Sequence, residues 1–208
     1  TPVAVVRSSL ENLQMQPQSE LSQKYLDRAS EGVERLGKII TTMSEATRLE
    51  QSIQSAEAEE FDLSKVITGC MQGYQITYGE SLFTLSLCKE PLNVSGAPEF
   101  IAQLLDKLIN NALEFKTSQS TISVSLIKQE QHALLKISNQ GPLLPDGLVE
   151  HIFDSMVSVR SQQHQQQPHL GLGLYIVRLI CDYHHGKVAA ENLDDGTGVV
   201  FTVELPIK

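Results

Sequence analysis

The sequence predicts an α+β chain in two parts, an N-terminal antiparallel helical hairpin followed by a layer of helices on a mixed sheet, and three patterns predict it. Up to Met43 the apolar residues recur at spacings of three and four, the period of a helix face. Beyond Phe61, alternating runs such as Ser81–Leu87 are interspersed with further amphipathic stretches. Between them lies Ala56-Glu57-Ala58-Glu59-Glu60, an acidic stretch where neither period survives. The expected boundary falls there and divides residues 1–58 from 59–208.

Val3, Val6, Leu10 and Leu13 form one stripe of a short helix opened by Pro2 and expected to end at Pro17. Leu26, Ala29, Val33, Leu36, Ile40 and Met43 alternate three and four between charged faces, which predicts a long helix from Ser19 to Ser55. Two such helices leave a seam that one hairpin cannot cover. A four-helix bundle made by two copies is the economical solution, and a monomeric hairpin packed on its own domain is the alternative. Downstream, Phe61–Tyr74 reads as the start of a strand and a helix, and Phe100–Phe115 as a strong amphipathic helix. Ile122–Leu126, Ala133–Ile137 and Val199–Leu205 read as strands, and Gly173–Tyr183 as a helix. The sum is helices on one face of a mixed sheet.

Composition narrows the function. Sixteen Lys and Arg against 25 Asp and Glu give a net charge of −9 over 208 residues, the wrong sign for a surface that tracks nucleic-acid phosphates. No stretch approaches the ~18 apolar residues of a membrane span. Cys70, Cys88 and Cys181 are odd in number and far apart, which fits reduced, intracellular thiols better than a disulfide framework. The chain begins Thr1-Pro2 and reads as part of something longer.

Three segments carry chemistry. In His169-Leu-Gly171-Leu-Gly173-Leu-Tyr-Ile-Val177, two glycines directly precede an apolar helix, so that backbone N–H groups and the helix dipole can approach an anion. No Gly-Lys-Ser/Thr follows, and Ile176 stands where a dinucleotide fingerprint has its third glycine. A tight helix entry is the bland alternative. On Gln103–Phe115, Lys107, Asn111 and Glu114 share one face, and the carbonyl of Asn111 is a hard oxygen ligand suited to Mg²⁺. A solvated polar face is the alternative there. In Ser138-Asn139-Gln140-Gly141-Pro142, Asn139 is placed to read a base edge, against a simple Gly-Pro turn.

The order of these segments, continued by Ile152-Phe153-Asp154, a Gln-rich loop and Gly196-Thr197-Gly198, resembles the catalytic core of two-component sensor histidine kinases. Their ATP-binding fold, an α/β sandwich of the Bergerat type, is shared with gyrase, Hsp90 chaperones and mismatch-repair ATPases. Thr1-Pro2 resembles the tail of the family's His-Glu-x-Arg-Thr-Pro segment, so the likeness runs from the first residue to Pro206. Phe153–Arg160 and His169–Arg178 further resemble the kinases of proteobacterial dedicated sortase systems.

The resemblance implies ATP and Mg²⁺ as cofactors, with Asn111 holding the metal. Gly171 and Gly173 would present amides to the phosphates, flanked by Leu170, Leu172 and Leu174. Asn139 and Gly141 would line the adenine pocket with Phe115 as core or pocket wall, Thr197 would also bind nucleotide, and Ser155–Pro168 would be a lid bearing Arg160 as a phosphate contact. It also implies a homodimer, a response-regulator receiver domain as partner, and a cytoplasmic position in a bacterial inner-membrane protein whose membrane segments lie upstream. Thr1 would orient a water for dephosphorylating the regulator. The phosphoacceptor His would lie four residues before Thr1, and the six histidines present read as surface or packing residues.

The sequence departs from the family at four positions. Lys107 replaces the first Asn of the helix, Glu114 a basic residue, Asn139 the usual Asp, and Leu143 a glycine of the turn. Lys107 is expected to take a phosphate contact while Glu114 faces away or approaches the metal. Related ATPases carry a general-base Glu where Lys107 stands, so Lys107 favours phosphoryl transfer over hydrolysis. The carbonyl of Asn139 can still accept from the adenine amino group. A non-catalytic dimeric scaffold and an ATP-hydrolysing switch are the rival readings.

Overall fold

A computed structural model describes residues 2–15, 19–145, 147–149, 151–155 and 172–208. Helix α1 (Pro2–Gln14) and helix α2 (Glu20–Ser55) form the hairpin. Ser19 caps α2, its Oγ accepting the Ser22 N–H at 3.2 Å. Gln14 Nε2 donates to Asp27 and Ser30, each at 3.3 Å, while Val3 lies beside Gly37, so the helices run antiparallel. The expected helix end at Pro17 lies outside the described residues. Of the predicted seam, Leu36, Ile40 and Met43 stay exposed, as does Val6 of α1, whereas Ala46 and Leu49 further along α2 are buried against the second part of the chain.

That second part is built on a five-stranded sheet in the order β2-β4-β5-β7-β6. Its strands are β2 (Phe83–Leu87), β4 (Ile122–Gln129), β5 (His132–Gln140), β6 (Lys187–Asn192) and β7 (Gly198–Pro206). β2 pairs with β4 in parallel and the other pairs are antiparallel. Ile122, Val124 and Leu126 on β4, with Val199, Phe201, Val203 and Leu205 on β7, are buried at alternate positions, which commits one sheet face to the core. Helices α3 (Leu63–Tyr78), α4 (Pro98–Phe115) and α5 (Leu172–Tyr183) supply the other half of that core, and Leu104, Leu105, Leu108, Ile109 and Ala112 of α4 are fully enclosed. The predicted layer of helices on a mixed sheet is therefore the observed one.

Three details differ from the sequence reading. Ser81 and Leu82 belong to a short 3-10 turn (Glu80–Leu82), so β2 begins two residues later than its alternation suggests. β6, with Lys187 and Glu191 on an edge strand, carries too little apolar signal to announce itself. A second, two-stranded sheet pairs β1 (Glu59–Asp62) with β3 (Asn93–Gly96). It is fastened to α5 by His184, whose Nδ1 lies 2.7 Å from the Ile180 carbonyl and whose Nε2 accepts the Ala97 N–H at 3.1 Å. A Cβ on Gly96 would collide with that imidazole.

Candidate functional site

The C-terminal end of α4, the end of β5 and the turn before β7 converge. Thr117 N–H donates to the Gln140 carbonyl at 2.9 Å, and Gly141 N–H donates to the Thr197 carbonyl at 3.0 Å. The approach leaves no room for side chains on two residues. A Cβ on Gly141 would run into the Phe115 carbonyl oxygen, and one on Gly198 into that of Asn139. Both glycines are thus fixed by backbone contact. Asn139 is 4% exposed in the floor of this convergence, and its Nδ2 donates to the Gln140 carbonyl at 3.3 Å, which leaves the side-chain carbonyl to accept. Thr197 donates its N–H and its hydroxyl to Asp195 Oδ1 at 3.0 and 2.7 Å, and those bonds hold the Asp195 carboxyl below the usual range.

Asn111 lies one turn before this junction on α4, partly exposed, and Phe115 lies partly exposed at the junction itself. Lys107, a further turn back on the same face, reaches across to the helical hairpin. Its Nζ bonds Glu45 Oε2 of α2 at 2.9 Å. Glu114 is exposed on the outer side of the helix. On α5, the side chains of Leu172 and Leu174 are buried in the core, so those residues offer a ligand their backbone only. Among the described residues nothing lies within 4 Å of where a Cβ on Gly173 would stand. Leu143 is exposed with ordinary backbone dihedrals, so the turn does not need glycine there. Thr1, Arg160, Leu170, Gly171 and residues 156–168 of the expected lid lie outside the described residues.

Sequence reasoning missed the partners that fix these elements. Asn192 clamps the 141–145 turn, accepting the Leu144 N–H at 2.8 Å and donating to its carbonyl at 3.0 Å. Asp154 receives Arg178 Nη1 at 2.6 Å and lies 2.9 Å from His151 Nδ1, the contact that most lowers its pKa. Tyr175 donates its hydroxyl to Glu50 at 2.9 Å, which raises the phenol above its ordinary value. Apart from His151 and Asp154, three residues apart, these are pairs distant in sequence with no local pattern. The Phe-Asp of Ile152-Phe153-Asp154 was the one signal available beforehand.

A family model described as histidine kinase-, DNA gyrase B- and HSP90-like ATPase matches residues 96–208, more than half of the chain. The chain belongs to this ATPase family. A second model, the His Kinase A (phospho-acceptor) domain, matches residues 1–52, so the hairpin and the ATP-binding domain together form a sensor histidine kinase core. The kinase core is 28% identical, over 99% of its length, to the sensor protein ChvG of Agrobacterium fabrum, of which it covers 37%. It is 25% identical over its full length to the sensor protein DltS of Streptococcus agalactiae, of which it covers 51%. The chain thus spans about half or less of the length of these relatives. Among solved structures it resembles the catalytic domain of histidine kinase ThkA, with 28% identity and a TM-score of 0.61 over 73% of this chain and 99% of that one. The fold also matches ThkA in complex with its response regulator protein TrrA, with 22% identity and a TM-score of 0.65 over 100% of this chain and 58% of that one. Among the described residues of the kinase core, no helix is long and apolar enough to cross a membrane.

Proposed function

We propose that the chain is the core of an autokinase that phosphorylates a histidine upstream of Thr1 and passes the phosphoryl group to an aspartate of a response-regulator receiver domain. The observation that carries this reading is the convergence of α4, β5 and the β7 turn around Asn139 and Gly141, in a chain whose first 52 residues match a phospho-acceptor domain. Residues 1–58 serve dimerisation and phosphotransfer, and residues 59–208 bind nucleotide.

The donors present suit Mg·ATP. Asn111 offers a hard carbonyl oxygen, Asn139 an acceptor in a nearly closed floor, Gly173 a backbone amide in the first turn of α5, and Gly141 a passage that a Cβ would fill. When bound, Mg·ATP supplies the γ-phosphoryl group, with the metal offsetting the charge on its oxygens. Phosphoryl transfer through a loose transition state needs little covalent help, so this chain contributes positioning and charge. Asn111 orients the metal and Asn139 accepts from the adenine amino group, beside Phe115, Gly141 and Thr197. The backbone amides of Leu170, Gly171, Leu172, Gly173 and Leu174, with Arg160 and Lys107, hold the phosphates. Lys107 stands where related ATPases carry a general-base carboxylate, which favours transfer over hydrolysis. Thr1 orients a water for the reverse, regulator-dephosphorylating reaction. The core works as a homodimer on the cytoplasmic side of a bacterial inner membrane, with the membrane reached through upstream segments.

Titration of the chain with ATP, with and without Mg²⁺, tests this. Saturable, Mg²⁺-dependent binding that weakens at least tenfold in Asn111→Ala is expected, a loss of about 1.4 kcal/mol. Absence of binding at millimolar ATP would leave a non-catalytic dimeric scaffold as the better account.

A further inference from the structure

The ATP-binding domain rests against the second half of α2 through contacts of two kinds. Ala46 and Leu49 of α2 are buried in the common core, and the adjoining Ile53 packs against it. Two polar contacts flank this apolar strip, Glu45 Oε2 to Lys107 Nζ at 2.9 Å and Tyr175 hydroxyl to Glu50 Oε1 at 2.9 Å. A cleft of about 410 Å³ opens beside the first of them, bounded by Arg48, Ser52, Gln103 and Asp106 over Phe100 and Ile176. Both polar contacts run from α2 to the ATP-binding domain, so each helps to hold the docked arrangement.

Lys107 belongs to both functions. It stands one turn from Asn111 on the same face of α4, and its side chain remains about a quarter exposed. The ammonium that Glu45 engages is the one the proposed site gives to a phosphate oxygen, so the two anions draw on a single cation, and a phosphate that recruits it weakens its hold on Glu45. We propose that Lys107 couples nucleotide binding to undocking: Glu45 holds Lys107, and with it the ATP-binding domain, against α2, and nucleotide phosphates compete for the same ammonium and so loosen the docking. Glu45 is then a positioning residue that acts through Lys107, and Glu50 and Tyr175 form the second fastening of the same docked state. This rests on the proposed ATP site and adds to it a reason for the lysine where the family has asparagine. Because coupling is reciprocal, whatever factor docking costs in ATP affinity, ATP costs in docking.

The test compares Mg·ATP affinity by calorimetry, and hydrogen exchange of α2 amides 45–53, in the full chain and its variants. Glu45→Gln is expected to tighten ATP roughly two- to fivefold, the range of a half-exposed ion pair. Tyr175→Phe, which removes the other fastening without altering charge, is expected to tighten ATP in the same direction. In a Lys107→Met background neither change should alter affinity, and saturating Mg·ATP should speed exchange of amides 45–53 in the parent chain and in Tyr175→Phe but not in any chain carrying Lys107→Met. Tightening by Glu45→Gln but not by Tyr175→Phe would reduce the effect to local charge repulsion and overturn the coupling. Normal ATP binding with affinity and exchange unchanged in every variant would overturn it too. A parent chain that binds no Mg·ATP would instead remove the underlying ATP-site reading.

Discussion

His184 is held neutral by what surrounds it. Its two ring nitrogens face a carbonyl and an amide N–H, so one must donate and the other accept, and only the neutral ring with its proton on Nδ1 does both. Burial, at 1% exposure, pushes its pKa below 6.5. The sign follows: the unfolded histidine takes up its proton first as pH falls, so stability attributable to His184 is complete above about pH 6.5 and is lost below it, down to the folded value. Denaturant unfolding from neutral to mildly acidic pH should show the gap between the parent chain and His184→Gln narrowing as pH falls; a constant gap would contradict the assignment. The residue types of the candidate site were legible at this scale. Asn111, Asn139, Gly141 and Gly173 stood out by their chemistry and by the order in which their segments occur. The partner of Lys107 did not, since Glu45 lies 62 positions away and nothing in either neighbourhood points to the other.

Among the elements, α3 shows how one residue can serve two connections. Asp62 Oδ1 caps the helix by accepting the Ser64 N–H at 3.0 Å and also accepts the Leu92 N–H at 3.3 Å, tying the start of α3 to the segment that enters β3. Asp62→Ala should cost about 1–2 kcal/mol in urea unfolding, the upper part of the range for a helix cap, because two amides lose their acceptor. Asp62→Asn should recover most of it; equal losses in both variants would show that charge rather than the cap matters. The long α2, α4 and α5 could be read from their apolar period to within two residues, because burial along one face imposes that period wherever a helix covers a sheet. β3 and β6 escaped detection since edge strands bury few side chains and are defined by ladder partners.

For the whole molecule the open question is what covers the first half of the hairpin. Leu36 and Ile40 are 51% and 54% exposed on α2, with Val6 of α1 at 48%, an apolar strip that the second domain does not reach. In the proposed homodimer a second copy would bury that strip. Ile40→Glu should convert a sedimenting dimer to monomer while leaving Mg·ATP affinity of the separate domain unchanged; a parent chain that sediments as a monomer would refute the pairing. By itself the sequence determined the two-part architecture, the order of the nucleotide-binding segments and the faces of the long helices, because each is written in local periodicity or in residues whose chemistry is local. Only the tertiary structure decided that Lys107 faces Glu45, that Asn192 clamps the turn after β5, and that Leu172 and Leu174 serve the core. These are contacts between elements far apart in sequence, fixed by how the sheet and helices stack, and no local pattern encodes them.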